Sequence, residues 1–380
     1  MRFEFATATR IVFGPGTVRE APAAVAEMGR RALFVTRRSA DPRAVGIAGE
    51  AFSTHFPIEG EPTVDMVRQG TQVAREADCD AVVALGGGSA IDTGKAIAAI
   101  LGNGGDPLDY LEVVGQGKPL NRPSAPFIAL PTTAGTGSEV TRNAVLAVPE
   151  QRVKASLRSP HMLPRLAVVD PDLTLDLPPA LTASTGLDAL TQLIEPYVSC
   201  RANIMTDLYC VEGLRLAASA LRRAWRDGRD AAARSDMAFA SLLGGLALAN
   251  AGLGAVHGFA APLGGMFDAP HGALCAALLP HAMAVNIAAL RGSPAHTEGL
   301  TRYAVAASVL TGRADASPED GAACVARLCR DLEIRPLGAY GVRPADVPAL
   351  VDKAARASSM KANPIVLTRD QLEELLTRAL

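Results

Sequence analysis

Along the first 178 residues, short β-rich apolar runs alternate with stretches of helical period. RALFVT (31–36) precedes helical spacing over 64–77, DAVVALGGG (80–88) leads into a helix from Ser89, and APFIALPTT (125–133) follows. Strands separated by helices in this way predict an α/β domain with a largely parallel sheet. Beyond DLPPALTAS (176–184) the runs lengthen, keep apolar periodicity and are broken by Gly and Pro without strand alternation, which predicts an all-helical second half. The division is expected at Pro178 and Pro179, giving an α/β dinucleotide-binding domain over 1–178 and a helical metal and substrate domain over 179–380. Ser184 or Thr185 is a candidate cap for the first helix of the second half. AFASLLGGLALANAGLGAV (238–256) approaches membrane-span length, but its alanine, glycine and nearby polar residues predict a buried helix.

Composition narrows the function classes. With 380 residues, 49% hydrophobic and 20% charged, the chain has the makings of a folded globule of two domains rather than a disordered one. A formal net charge of −2 provides no field to attract nucleic acid or an anionic membrane, so a small molecule is the expected partner. The 6 cysteines form no CxxC pair, which argues against a zinc ribbon or a disulfide framework and for reduced thiols in a cytoplasm. MRFEFATATRIVFG lacks the apolar core and cleavage site of a secretory signal.

Three stretches carry candidate chemistry. Gly86, Gly87 and Gly88 stand between an apolar run and a helix, where unpaired amides and the helix dipole suit a phosphate. The spacing is neither GxGxxG nor a Walker A loop. A tight turn closed by a Ser89/Asp92 capping box accounts for the same residues without a ligand. LPTTAGTGSEVT (130–141) again follows an apolar run and offers hydroxyls and glycines where a ligand lies at a sheet edge. In the helical half, Asp188 and Gln192 are spaced i and i+4 on one helix face, and GLGAVHGFAAPLGGMFDAPHG (252–272) holds His257 and His271 in an otherwise small and apolar stretch. The four could bind a divalent metal such as Fe²⁺ or Zn²⁺; equally, the histidines could be hydrogen-bonded core residues and Asp188 a cap. His281 is read as core or cleft wall, and His55, His161 and His296 as surface residues.

Taken together, FGPG (13–16), GGGSAIDTGK (86–95), LPTTAGTGSEVT (130–141), DPDLT (170–174), TGLDAL (185–190) and the 252–272 segment through LLPH (278–281) resemble the iron-containing (group III) alcohol dehydrogenase family, including its maleylacetate reductase branch. The resemblance implies NAD(P) and a metal in a cleft between the two domains, a small alcohol or aldehyde substrate, and a homodimer. By position, Gly87, Gly88, Ser89, Thr132, Thr136, Thr141 and Lys154 match the family's cofactor contacts, and Asp92, Thr133 and Ser138 in the same loops join that set. Asp188, Gln192, His257 and His271 match its four metal ligands, with Asp188, His257 and His271 as the catalytic set. Phe259, Met266 and Phe267 match a partly apolar wall of the cleft.

Three departures bear on function. The family usually has His where this chain has Gln192, and often has His where it has Ala261. The first weakens the metal site and the second removes a group that relays a proton to solvent in the family, which leaves room for reduction without a metal, as the resemblance to the maleylacetate reductases implies, with His257 or His271 as general acid. NAD-specific members often carry Asp just after the first strand; here Arg37 and Arg38 follow RALFVT, and a guanidinium pairs well with a 2′-phosphate, so NADP(H) is expected over NAD(H). A lyase resembling dehydroquinate synthase and a catalytically dead dinucleotide-binding protein are the competing readings.

Overall fold

The computed structural model describes residues 2–38, 46–49, 51–293 and 296–380. They divide into two compact units: one comprises Ala6–Thr133 and Gly137–Leu175, the other Asp176–Leu380 with Ala134–Thr136 and a short N-terminal stretch ending at Phe5.

The first unit is built on six parallel strands: β1 (Arg10–Phe13), β2 (Ala32–Arg37), β3 (Phe52–Ile58), β4 (Ala81–Gly86), β5 (Phe127–Pro131) and β8 (Leu166–Val169), in the order β1-β8-β5-β4-β2-β3. Helices α1 (Ala21–Met28), α2 (Val64–Glu76), α3 (Gly88–Asn103) and the short α4 (Pro107–Tyr110) accompany them, and β6 (Asn143–Val148) and β7 (Val153–Arg158) form a separate antiparallel pair. Every residue of β4 is buried, as expected of a parallel strand covered on both faces. Its alternate side chains enter two cores: Val82 and Ala84 pack with Ile91 and Ile97 of α3, while Val83 and Leu85 pack with Ala21 and Val25 of α1. Helix α2 shows how local sequence sets an element. Thr63 caps it by accepting from Met66 N–H (3.1 Å), and Val64, Val67, Gly70, Thr71 and Ala74 bury one stripe at helical spacing.

This strand order puts a switch point between β2 and β4. The chain leaves β2 toward β3 on one side and leaves β4 toward β5 on the other, and such crevices at the carboxyl edge are where ligands bind in open α/β sheets. Thr36 pairs with Leu85 across β2 and β4, so Arg37 and the Gly86–Gly88 turn leave the sheet side by side.

Behind that edge lies a buried ion group. Lys95, 1% exposed on α3, donates to Ser138 O (2.7 Å), Ser138 Oγ (3.1 Å), Thr141 Oγ1 (3.0 Å) and Asn143 O (2.8 Å). Burial pulls its ammonium down to about 8 and pushes the neighbouring Glu139 carboxyl up to about 7. Asp92 accepts from Ser138 Oγ and from Val145 N–H (2.9 Å). The Ser89/Asp92 capping box is therefore not formed: α3 starts at Gly87 with no side-chain cap, because the Asp92 carboxylate is engaged elsewhere.

The second unit is helical, with α5 (Pro179–Val198), α6 (Ile204–Arg226), α7 (Ala231–Ala251), α8 (Ala255–Met266), α9 (His271–Arg291), α10 (Thr297–Thr311), α11 (Pro318–Asp331), α12 (Val347–Ala354) and α13 (Arg369–Arg378). Helix α5 is the core element, packed on α6, α7 and α9 and buried from Leu187 to Val198 without interruption. It begins at Pro179, earlier than the expected caps. Ser184 and Thr185 lie inside it and return their hydroxyls to Leu181 O (3.2 and 2.8 Å).

The 238–256 segment is not one helix. Gly252, at φ 76°, ends α7, and α8 departs at 97°. Helix α9 is long and apolar enough to cross a membrane, but 78% of its apolar window is buried inside the protein. His55, expected at the surface, lies on β3 and is hydrogen-bonded to Thr36 Oγ1 (2.6 Å), whereas His161 and His296 are exposed.

Replacing Lys95 with Met would leave four buried acceptors without their donor. Lys95→Met is expected to lower the unfolding free energy by about 3 kcal/mol in chemical denaturation, the scale of breaking a buried ion group by removing one member.

Candidate active site

Helix α5 presents Asp188, Gln192 and Glu195 at i, i+4 and i+7, a single face that in a core helix would ordinarily be apolar. All three are buried, and within α5 they are the residues that need compensation.

Glu195 receives it from α8. Its carboxylate accepts from Val256 N–H (2.7 Å) at the start of that helix and bonds His257 Nδ1 (2.7 Å). An anion at a helix N-terminus meets free amides and the positive end of the dipole, so this contact docks α8 and orients the imidazole together. Asn363 completes the dock by accepting from Ala255 N–H (3.1 Å). Gly254 makes both possible, because a Cβ there would stand 2.9 Å from Glu195 Oε1 and from Asn363 Oδ1. With Nδ1 held by Glu195, Nε2 of His257 points to Asp188 Oδ1, 3.4 Å away.

Helix α9 supplies the rest. Gly272 lets its first turn lie against α5, where a Cβ would come within 2.7 Å of Ser184 O. His271 Nε2 then stands 3.8 Å from Asp188 Oδ1, and the two imidazole centroids are 5.5 Å apart. One turn on, the wholly buried Cys275 places Sγ 3.6 Å from His271 Nε2 and 3.9 Å from His257 Nε2. The donor atoms of Asp188, His257, His271 and Cys275 all lie within 4.8 Å of one another.

These residues fit a divalent cation. Asp188 Oδ1 and Gln192 Oε1 are buried and make no hydrogen bond, an oxygen pair suited to a cation that takes the place of the imidazole protons now facing Asp188 Oδ1 at 3.4 and 3.8 Å. The Glu195–His257 bond is the carboxylate–histidine support that fixes a ligand imidazole's tautomer.

Charge in the metal-free cluster follows from crowding. Burial disfavours a charged His257, but Cys275, Glu195 and Asp188 around it prevail and raise it well above its ordinary value; His271, also lowered by burial and raised by Cys275 and Asp188, is pushed up to about 9. Burial would raise Asp188, but His271 and His257 hold it below the usual carboxylate range.

In the α/β unit, Gly87 caps α3 and packs against Thr133, whose Cγ2 would be 3.1 Å from a Cβ at that glycine; Gly88 and Ser89 form the first turn. Thr132 N–H donates to Gly86 O (3.0 Å), tying the two ligand-type loops together. Ser138 and Thr141 turn their hydroxyls onto Lys95; Thr136, which belongs to the helical unit, is half-buried. Lys154, on β7, pairs with Glu61 (3.0 Å). Arg37 is exposed at the end of β2, and Arg38 lies 3.8 Å from Glu59. Phe259 is fully buried and belongs to the core rather than to a wall that a substrate could touch; Met266 and Phe267 are half-buried. The sequence reading passed over Glu195 and Cys275. Glu195 continues the Asp188/Gln192 helix face and Cys275 follows His271 at i+4, so both carried the spacing signal.

The model of the iron-containing alcohol dehydrogenase family matches residues 8–171, and that of the Fe-containing alcohol dehydrogenase C-terminal domain matches residues 182–380. The chain belongs to the iron-containing alcohol dehydrogenase family. It is 36% identical to alcohol dehydrogenase 4 of Schizosaccharomyces pombe over 383 residues, 97% of this chain and 87% of that one. The solved structure of a 1,3-propanediol oxidoreductase superposes with a TM-score of 0.91 at 34% identity, covering 100% of both chains. Maleylacetate reductase from Agrobacterium tumefaciens superposes at 0.80 with 27% identity, over 100% of this chain and 98% of that one. Members of this alcohol dehydrogenase family are oxidoreductases that use NAD(P) and a metal, which agrees with the α/β sheet, the helical unit and the Asp188 cluster.

Two outcomes follow from the cluster. Metal binding must displace protons from imidazoles that hold them at neutral pH, so the apparent affinity for Zn²⁺ should rise as pH goes from 6 toward 9, by about tenfold per unit for each proton displaced. Calorimetric titration across that range checks this, and a pH-independent affinity contradicts it. Glu195→Gln, which removes the charge behind His257, should weaken metal retention about 10- to 100-fold in competition with a chelator while leaving the far-ultraviolet circular dichroism unchanged.

Proposed function

We propose that the protein is an NAD(P)-dependent oxidoreductase that passes a hydride between the nicotinamide and a small alcohol or carbonyl substrate, with a divalent metal held by Asp188, His257, His271 and the donors beside them. The observation that carries this reading is a buried Asp188 Oδ1 that makes no hydrogen bond and faces two imidazoles at 3.4 and 3.8 Å, with Gln192 Oε1, also buried without a hydrogen bond, one turn on, in a chain of this family.

In this reading the first unit, ending near residue 178, holds the dinucleotide. The uncapped first turn of α3, with Gly87 and Gly88, offers its amides to the pyrophosphate. Ser89, Thr132 and Thr133 provide hydroxyls along the same edge, and Thr136, from the helical unit, joins the cofactor set by its match to the family's contacts. Asp92, Ser138 and Thr141 act through the Lys95 group to hold the second loop in shape, and Lys154 approaches from the β6–β7 pair. Arg37, beside the switch point, pairs with a 2′-phosphate and favours NADP(H).

The helical unit binds the metal and the substrate. A bound divalent ion supplies Lewis acidity, polarising the carbonyl and stabilising the developing alkoxide. Asp188 contributes the negative charge that holds the ion, His257 is fixed by Glu195, and His271, whose side chain is 36% exposed against 8% for His257, is the imidazole open to exchange with the outside. We also take the enzyme to be a cytoplasmic homodimer, which the family resemblance and its six unpaired cysteines support.

A second reading has one specific support. Gln192 stands where the family usually has His, and a His271 raised to about 9 is protonated at neutral pH, so it could donate a proton to the carbonyl oxygen without a metal.

Aldehyde-dependent NADPH oxidation, followed before and after exhaustive chelation and with Zn²⁺ or Fe²⁺ restored, decides between them. The proposal expects loss and rescue; full activity of metal-free protein selects the histidine donor, and no net nicotinamide oxidation on any aldehyde contradicts both. In the same assay Arg37→Asp should lower kcat/KM for NADPH about 10- to 100-fold relative to NADH, and equal efficiencies of the wild type with both cofactors contradict the preference.

A further inference from the structure

The cluster contains one donor that the matched ligand set leaves out. Cys275 lies one turn beyond His271 on the same face of α9, wholly buried. Buried free cysteines usually sit among apolar atoms. This one instead faces the Nε2 atoms of both histidines.

Four of the six separations within the frame are 3.4 Å from Asp188 Oδ1 to His257 Nε2, 3.8 Å from Asp188 Oδ1 to His271 Nε2, 3.6 Å from Cys275 Sγ to His271 Nε2 and 3.9 Å from Cys275 Sγ to His257 Nε2, and all donors lie within 4.8 Å of one another. Ligands bound tetrahedrally at about 2.0–2.3 Å are separated by about 3.3–3.8 Å, so these donors already stand near the edges of such a shell. Gln192 Oε1 is the competing fourth donor, but it is a neutral amide oxygen. A thiolate binds a borderline ion more strongly and, with Asp188, neutralises its two charges.

We propose that Cys275 is a thiolate ligand of the resident metal, completing an Asp188–His257–His271–Cys275 set in place of the Gln192 amide, and that this donor biases the site toward Zn²⁺ or Co²⁺ over Fe²⁺. The inference rests on the metal-assisted reading above. As the sulfur–metal bond forms, the thiol proton leaves to solvent, which adds to the protons released by the imidazoles. The substitution of His by Gln192 is thereby offset from a different helix, by a residue 83 positions further along the chain.

Cobalt makes the sulfur visible. Chelated protein given one equivalent of Co²⁺ should develop the near-ultraviolet thiolate-to-cobalt charge-transfer band together with intense tetrahedral d–d bands. Cys275→Ser should abolish the charge-transfer band and Gln192→Ala should retain it. A wild-type spectrum with bound Co²⁺ but no such band, or a band unchanged in Cys275→Ser, overturns the thiolate ligand while leaving the metal reading intact. Failure of Co²⁺ to bind at all removes both. If Cys275→Ser does not fold, X-ray absorption on the zinc-loaded wild type replaces it: one sulfur at about 2.3 Å is expected, and a shell of only nitrogen and oxygen near 2.0–2.1 Å overturns the assignment. Competition between Zn²⁺ and Fe²⁺ for the chelated protein, read by elemental analysis, should favour Zn²⁺ more strongly in the wild type than in Cys275→Ser.

Discussion

A buried carboxylate is among the most costly features a helical core can hold unless positive charge stands beside it, and Asp188, whose Oδ1 makes no hydrogen bond, is one. The surrounding architecture makes sense as its compensation. Two helices bring an imidazole each to within 4 Å of that oxygen, and each is held there by a contact a larger residue would prevent. At α8 the contact is the Glu195 carboxylate on the Val256 amide, reached past Gly254; at α9 it is the close approach of Gly272 to the backbone of α5. The polar face of α5 thus serves three tasks in sequence order: Asp188 faces the two imidazoles, Gln192 adds a neutral oxygen, and Glu195 anchors the neighbouring helix and its histidine.

The α/β unit solves a different problem by a related means. The loop proposed to meet a dinucleotide must be open to ligand and yet hold its shape, and it is tied from behind. Lys95 gathers carbonyls and hydroxyls of the 138–143 segment while Asp92 gathers Ser138 and Val145 N–H, so the segment is set from the protein interior. The amides of the α3 start remain uncapped at the carboxyl edge of the sheet, beside the point where the strand order reverses. Fold and family together make this an oxidoreductase architecture.

Much of this was legible along the chain. Parallel strands buried on both faces read as near-continuous apolar runs, so AVVAL and FIAL stood out, and the change to long helical periods marked the second half. Asp188, Gln192, His257 and His271 were visible because helical spacing and polar residues in apolar surroundings are local signals. Whatever depends on approach between distant segments was not. Glu195 meets His257 across 62 positions, and Lys95 reaches Thr141 across 46. Local rules also lost to tertiary demands: Asp92 abandons the capping box for Ser138, Ser184 and Thr185 bond back within α5, and Gly252 divides an apolar stretch into α7 and α8. Cys275 was passed over because cysteine in an apolar helix looks like packing until its neighbours are known.

The central claim is that the faces of α5, α8 and α9 are shaped around a cation at Asp188. Anomalous diffraction at the zinc absorption edge, from crystals of protein loaded with one equivalent of Zn²⁺, tests it most directly. The account predicts a single strong peak bonded to Asp188, His257 and His271. A peak elsewhere, or none with Asp188 Oδ1 hydrogen-bonded to an imidazole or an ordered water, would contradict it.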